Sequence, residues 1–140
     1  MPRKQNPRKP TEAELAILAV IWERGQTTVR EVFNELGEEQ GVGYTTVLKL
    51  MQIMTEKGLL QKDVSVRPQV FTATRPRSQM QRALLGDLMD RAFSGSPGSL
   101  VLQALSMKQS TPQELREIRR MLDELESDES VGDDIEGGAQ

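Results

Sequence analysis

The sequence predicts a mainly α-helical chain with one small β-hairpin. Apolar residues recur at three- and four-residue steps in six segments of the 140 residues, which is the period of amphipathic helices. After Gly58 the pattern changes to two short stretches typical of strands, separated by a turn that contains Pro68. Thr-x-x-Glu sequences beginning at Thr11 and Thr111 are capping boxes that mark helix starts. Three helices followed by a hairpin predict a winged helix-turn-helix, and further helices follow it.

The first helix is predicted over residues 12–24. Thr11 and Glu14 form its capping box, and Gly25 follows as a residue type that commonly ends helices. The apolar residues of this helix fall on one broad face. On that face Trp22 is expected to be a core residue and not part of a ligand site.

The second helix is predicted to be short, from Val29 to Leu36. Thr28 is expected to cap it, and Gly37 is expected to close it. Two more glycines then predict a loose turn before a third helix. A short helix, a turn and a further helix predict a helix-turn-helix.

The third helix, from about Tyr44 to Lys57, is predicted to be a recognition helix. Its apolar stripe for the core consists of Val47, Leu50, Met51 and Met54. The remaining surface carries hydroxyls, an amide and an amine, with no carboxylate before Glu56. This suits the edge of a DNA groove because phosphates repel carboxylates, whereas the alternative is an ordinary solvated helix. These polar residues are Thr45, Thr46, Lys49, Gln52 and Thr55.

The hairpin is predicted from two short strand-like stretches, 59–64 and 69–73. Pro68 cannot donate to a strand ladder, so it belongs in the turn or at the start of the second strand. Lys62 and Arg67 would then lie where a wing reaches the phosphates that flank a DNA site. The alternative interpretation of these two cations is surface charge that keeps the hairpin soluble.

Three further helices are predicted over residues 77–126. The first covers about 78–93, the second is a short apolar helix capped by Ser99, and the third covers about 112–126. A segment of about 50 residues seldom folds alone. Its apolar faces are therefore expected to pack against a second copy of the chain, or alternatively against the winged helix of the same chain. The expected dimerisation residues are Leu84, Leu88, Leu100, Leu102, Leu115, Ile118 and Leu122.

Both ends of the chain are expected to be disordered. Residues 1–10 form a basic, Pro-rich arm, and residues 127–140 form an acidic, Gly-rich tail with few apolar residues. The winged-helix domain is accordingly expected over 11–76 and the helical dimerisation region over 77–126.

Composition excludes several functional classes. The chain has no Cys and no His, which removes thiolate metal sites and the commonest metal ligand and general base. No enzyme activity, metal or cofactor is therefore expected. No apolar run approaches the ~20 residues that span a bilayer, and no signal peptide is recognisable, so the expected location is cytoplasmic.

The formal net charge of −3 conceals a division along the chain. Residues 1–80 carry 12 basic and 9 acidic residues, whereas residues 81–140 carry 6 basic and 12 acidic residues. A basic first half with an acidic second half is expected when only one half of a protein contacts a polyanion such as DNA.

Six segments follow one another in a characteristic order and spacing along the chain. They are Thr11-Glu12-Ala13-Glu14 through Ile21-Trp22, Thr28-Val29-Arg30-Glu31-Val32, Tyr44-Thr45-Thr46-Val47 followed by Leu50, Lys57-Gly58-Leu59-Leu60, Val70-Phe71 and Ser99-Leu100-Val101-Leu102. In this order and spacing, they resemble the penicillinase-repressor family of bacterial winged-helix repressors (the BlaI/MecI/CopY group). The resemblance covers about residues 11–125.

The resemblance implies a homodimeric transcriptional repressor that binds an inverted-repeat operator in double-stranded DNA. The C-terminal helices would form the dimer, and the wing would contact the DNA backbone or minor groove. Thr45, Thr46 and Lys49 would face the major groove. The expected DNA-binding residues are Thr28, Tyr44, Thr45, Thr46, Lys49, Lys62 and Arg67.

The chain departs from the family at its two familiar release switches. Members inactivated by proteolysis are cut at an Asn-Phe bond, where this chain has Gln103-Ala104, and copper-responsive members use a C-terminal cysteine cluster that this chain lacks. The sequence therefore predicts neither the releasing signal nor an upstream protease or sensor. The alternative function is a winged-helix protein-interaction module without specific DNA binding, which the acidic overall charge favours.

Overall fold

The computed structural model describes residues 9–138 and confirms the mainly helical fold class with a hairpin. The chain divides into two compact units, of which the first ends at Leu88 and the second begins at Met89. The elements, in chain order, are α1 (Glu12–Arg24), α2 (Val29–Gln40), α3 (Tyr44–Glu56), β1 (Leu60–Asp63), β2 (Val70–Ala73), α4 (Arg77–Ala92), α5 (Pro97–Met107) and α6 (Pro112–Gly138).

The core of the first unit lies where α1, α2, α3 and the hairpin meet. The predicted stripe of α3 enters this core, with Val47, Met51 and Met54 buried and Leu50 packed at the edge. Each fully buried aliphatic side chain contributes about 1.5–3 kcal/mol through removal from water. The largest apolar side chains that are fully buried are Ile17, Leu18, Ile21, Met51, Met54, Leu60, Val32 and Val47.

Capping boxes fix the starts of three helices. At α1, the Thr11 hydroxyl accepts the Glu14 N–H at 3.2 Å, and the Glu14 carboxylate accepts the Thr11 N–H at 2.9 Å. Thr111 and its partner three residues later make the same two bonds at α6. The two helix starts predicted from Thr-x-x-Glu sequences are thus confirmed. Thr28 forms a third box at the start of α2.

Helix α2 is longer than the sequence predicts. The predicted end at Gly37 is wrong, because the helix continues to Gln40 and ends at Gly41, which has a φ of 65°. Gly37 lies inside the helix under the aromatic ring of Phe33. A Cβ atom at Gly37 would come within 2.8 Å of that ring. This glycine therefore makes room for a side chain and does not end the helix.

The hairpin is joined to the start of α2 by a backbone pairing that the sequence does not reveal. Strands β1 and β2 are antiparallel, with Lys62 opposite Phe71. On its other side Phe71 forms a β-bridge with Thr27. The Thr27 N–H donates to the Phe71 carbonyl at 3.0 Å, and the Phe71 N–H donates to the Thr27 carbonyl at 2.7 Å. This bridge holds the first turn of α2 beside the wing.

The first compact unit extends into α4, past residue 77, where the predicted helical dimerisation region begins. Met80 is buried in the core of the first unit, and Leu84 packs against the same core. The chain just before α4 is held by Trp22, whose indole N–H donates to the carbonyl of Arg75 at 2.9 Å. The first half of α4 therefore completes the winged-helix core.

The second unit differs from the prediction at two helix ends. Helix α5 is capped by Ser96 and not by Ser99, because Pro97 suits the first helical position and the Ser96 hydroxyl accepts the Ser99 N–H at 3.1 Å. Helix α6 continues to Gly138, through most of the predicted disordered tail. The sequence is compatible with this longer helix, because residues 127–138 contain no proline and an isolated glycine inside a helix costs only about 1 kcal/mol.

The predicted basic arm lies mostly outside the described residues, which begin at Lys9. The Lys9 ammonium group forms an ion pair with Asp87 of α4 at 2.9 Å. Pro10, the next residue, is buried. Residues 139–140 of the predicted tail likewise lie outside the described part of the chain.

Candidate nucleic-acid interface

An open groove lies in the first unit between the start of α2, one face of α3 and the hairpin. Its volume is about 240 Å³. Among the described residues that line it, three are cations and none is a carboxylate, so the groove presents positive charge to a ligand. The lining residues are Thr28, Val29, Arg30, Tyr44, Leu48, Gln52, Lys62, Arg67, Pro68, Gln69 and Phe71.

The structure brings four of the seven predicted DNA-binding residues into this groove. Thr28 comes from the start of α2, Tyr44 from the start of α3, and Lys62 and Arg67 from the hairpin. The other three do not line the groove but lie exposed on α3. These are Thr45, Thr46 and Lys49.

Helix α3 begins without a side-chain cap. Its N-cap residue is Gly43, and its first turn contains no acidic residue. The first N–H groups of a helix carry partial positive charge, which a carboxylate there would neutralise. The start of α3 therefore suits a negatively charged ligand. It is also accessible, because its first residue, Tyr44, is exposed.

Thr55 does not belong to the exposed polar face of α3 on which the sequence places it. Its side chain is half-buried, and its hydroxyl donates to the carbonyl of Met51 at 2.8 Å. Gln52 is exposed and lines the groove instead. The polar surface available to a ligand is thus narrower at the end of α3 than the sequence suggests.

Thr28 has a structural role at the edge of the groove. Its hydroxyl oxygen accepts the N–H of Glu31 at 3.1 Å, and the Glu31 carboxylate accepts the Thr28 N–H at 2.9 Å. The oxygen is therefore used by the capping box, while the hydroxyl proton remains able to be donated to a ligand.

The wing turn is ordered by Asp63. Its carboxylate accepts the hydroxyl of Ser65 at 2.6 Å and the backbone N–H of Ser65 at 2.9 Å. These two hydrogen bonds hold the pKa of Asp63 below its usual range. Lys62 and Arg67 are exposed on either side of this turn, and neither forms an ion pair with another described residue.

Arg30 is not among the DNA-binding residues predicted from the sequence, and Gln52 is predicted only as part of the polar face of α3. The guanidinium carbon of Arg30 lies 4.4 Å from the centroid of the Tyr44 ring. The position of Arg30 in the sequence could have identified it as a candidate. It is a cation in the first turn of a helix, where the helix dipole disfavours positive charge.

The predicted dimerisation residues differ in exposure. Leu84 packs against the core of the first unit, whereas Leu88 is about half exposed. In the second unit, no side chain of α5 or α6 that the structure describes is buried. Leu100 and Ile118 are half-buried there. The most exposed apolar residues of these helices include Leu102, Met107, Met121, Leu122 and Leu125.

The described residues provide neither a membrane-spanning helix nor a metal-binding cluster. None of the helices within residues 9–138 has the length and apolar character required to cross a bilayer. Across the same residues, no three potential Asp, Glu, His or Cys ligands come together as a metal site would require.

Comparison with known proteins places the chain in a family. The model of the penicillinase repressor family matches residues 10–124. The penicillinase repressor of Bacillus licheniformis is 25% identical over 114 residues, which cover 81% of this chain and 89% of that protein. The solution structure of the DNA-binding domain of the repressor BlaI is 26% identical, with a TM-score of 0.46, and the match covers 54% of this chain and 92% of that domain. The family model matches most of the length of this chain, so the chain belongs to the penicillinase repressor family.

Proposed function

We propose that this protein is a homodimeric transcriptional repressor that binds an inverted-repeat operator in duplex DNA. Membership of the penicillinase repressor family supports the general class, a DNA-binding repressor without enzyme activity. The observation that carries the proposal is the groove between α2, α3 and the wing, which has three cations and no carboxylate among its described lining residues. Such a groove suits the phosphate backbone that supplies most of the affinity for DNA.

Helix α3 would enter the major groove. In a helix-turn-helix the second helix reads base edges while the first crosses the backbone. Thr45, Thr46 and Lys49 are exposed on α3 and offer two hydroxyls and an ammonium group for base edges. Lys62 and Arg67 of the wing form no ion pair with another described residue and would contact the flanking phosphates.

The second unit would form the dimer. Leu115, Ile118, Leu122 and Leu125 follow one another at steps of three, four and three residues along α6, which is the spacing of a helix–helix seam. Leu122 and Leu125 are more than half exposed in the single chain. A second copy related by a two-fold axis would cover this stripe, and the two winged helices would then read two halves of an inverted repeat.

Footprinting of the purified protein on the DNA upstream of its own coding region tests the proposal. The measurement is made at about 50 mM and about 200 mM salt, because a protein with several phosphate contacts loses about a thousandfold or more in affinity between them. Protection of an inverted repeat that is lost at the higher salt is expected. A folded dimer that protects no DNA at low salt would favour the protein-interaction module.

A further inference from the structure

Arg30 occupies a position that helix electrostatics do not favour. It is the second residue of α2, at the end where the helix dipole is positive. The two carboxylates nearest to it along the helix do not compensate, because both pair with Arg24. Arg24 lies 2.7 Å from a Glu35 oxygen and 3.8 Å from a Glu31 oxygen. Within the described residues, no ion pair or hydrogen bond engages the Arg30 guanidinium group.

The guanidinium group of Arg30 is nevertheless held in place by two aromatic rings. It lies 4.4 Å from the centroid of the Tyr44 ring and 5.6 Å from that of Phe33. The two rings themselves pack edge to face, with centroids 5.8 Å apart and planes at 77°. Phe33 in turn lies over Gly37, in the space that a Cβ at that position would need. Contact with aromatic faces restricts a guanidinium group but leaves its N–H donors at the rim unused.

We propose that Arg30 is a DNA-phosphate contact, pre-positioned by the Tyr44 and Phe33 rings. This inference rests on the proposed DNA-binding function and adds a residue to it. The start of α2 lies in the same groove as the wing cations, and Arg30 contacts the first residue of α3. The first helix of a helix-turn-helix lies over the backbone, so the partner of Arg30 is a phosphate at the edge of the major groove and not a base. A restrained, planar guanidinium group with free donors suits a phosphate, which it binds through two parallel hydrogen bonds.

The test compares Arg30→Gln with the parent protein on the footprinted operator and on a scrambled duplex of equal length. Dissociation constants are measured across a range of salt concentrations. The loss of one phosphate contact predicts a slope of log K against log salt that is shallower by about 0.9. Affinity is expected to fall by about tenfold on both duplexes, because a phosphate contact carries no sequence information.

Two further variants separate the phosphate contact from a structural role. Arg30→Lys keeps the charge, so it is expected to keep the parent slope while binding about threefold more weakly, since the planar stacked group is lost. Arg77→Gln makes the same charge change at an arginine that also lies over an aromatic ring, 5.8 Å from the Trp22 centroid, but does not line the groove. It is expected to leave the slope unchanged. Thermal unfolding of each variant reports any loss of fold.

The outcomes distinguish this inference from the function on which it rests. A parent protein that binds the operator with a steep salt dependence, together with an Arg30→Gln variant of identical slope, overturns the phosphate contact and leaves the repressor intact. A loss of affinity confined to the operator duplex would mean that Arg30 contacts a base, and it would also overturn the proposed phosphate contact. A parent protein that shows no salt-dependent DNA binding overturns both.

Discussion

The ammonium nitrogen of Lys57 lies 3.0 and 2.9 Å from the two carboxylate oxygens of Glu14, which joins the end of α3 to the first turn of α1. The Glu14 side chain is 3% exposed and that of Lys57 is 30% exposed. Burial raises the pKa of Glu14, but hydrogen bonds from Thr11 and Lys57 and the charge of Lys57 outweigh it, so the pKa lies below its usual value. The ion pair thus fixes the end of the candidate recognition helix against the core.

The two partners of this ion pair are expected to differ in their contribution to stability. Lys57→Met leaves a buried carboxylate without a cation and should lower the free energy of unfolding by about 3 kcal/mol. Glu14→Gln leaves an ammonium group that can reach water, so the expected loss is only about 1–2 kcal/mol. Urea unfolding at neutral pH measures both. A larger loss in Glu14→Gln than in Lys57→Met would contradict this account.

The stabilisation by Glu14 is expected to depend on pH. Its pKa is lowered in the folded state, so its contribution is present above the unfolded value of about 4.5 and is lost as the pH falls through the folded value. The difference in unfolding free energy between the parent and Glu14→Gln should therefore be constant near neutral pH and shrink at acid pH. A difference that persists undiminished at about pH 2 would mean that the carboxylate charge does not stabilise the fold.

The helix starts that carry a capping box were predictable from the sequence, whereas the start of α5 and the ends of α2 and α6 were not. Thr11 and Thr111 act through hydrogen bonds to residues three positions away, so their role is visible in a short stretch of sequence. Gly37 looks like a helix stop, but it lies inside α2, where the ring of Phe33 occupies the space that a Cβ would need. Helix α6 extends beyond its predicted end at about Glu126, because acidic and polar residues also form helix when no proline interrupts them.

Residues of the candidate site were predictable where their own element carries the signal, whereas contacts between elements were not. The polar face of α3 follows from its helical period, and the wing cations follow from the hairpin. Arg30 could not be placed, because its contact with Tyr44 depends on the turn that brings the starts of α2 and α3 together. The sequence identifies Glu14 only as a capping residue, since apolar periodicity does not reveal a buried charge whose partner is 43 residues away.

Gly58 is expected to be required for the turn that follows α3. Its φ of 85° is in the region that residues with a Cβ rarely adopt, so Gly58→Ala should destabilise the protein by about 1–2 kcal/mol. Gly86 in α4 provides the matched control. A Cβ there meets nothing within 4 Å, and Gly86→Ala should stabilise the helix by up to about 1 kcal/mol. Equal melting temperatures for the two variants would contradict the prediction.

Thr46 and Lys49 are expected to contribute to operator binding. Each offers an exposed donor on α3, and a well-placed contact to a base contributes about 1–3 kcal/mol of discrimination, so Thr46→Ala and Lys49→Ala should each weaken binding by about tenfold. Lys49→Glu should weaken it further by repulsion of phosphates. Thr55→Ala makes the same chemical change as Thr46→Ala at a hydroxyl already bonded to its own helix, and it should bind nearly as the parent does. Titration of labelled operator measures all four, and parent-like affinity in the first three would exclude α3 as the recognition helix.

Ile118 and Leu122 are expected to lie in the dimer seam of α6. They are one helical turn apart, and Leu122 is 53% exposed in the single chain. Ile118→Asp or Leu122→Asp places a charge in an apolar contact, which is unfavourable without a partner, so each variant should sediment as a monomer and lose operator affinity. Gln113→Asp makes the same change of charge on the opposite side of the same helix and should remain dimeric. If all three variants sediment as the parent does, the stripe on α6 does not form the interface, and the alternative that it packs against the winged helix of its own chain would be favoured.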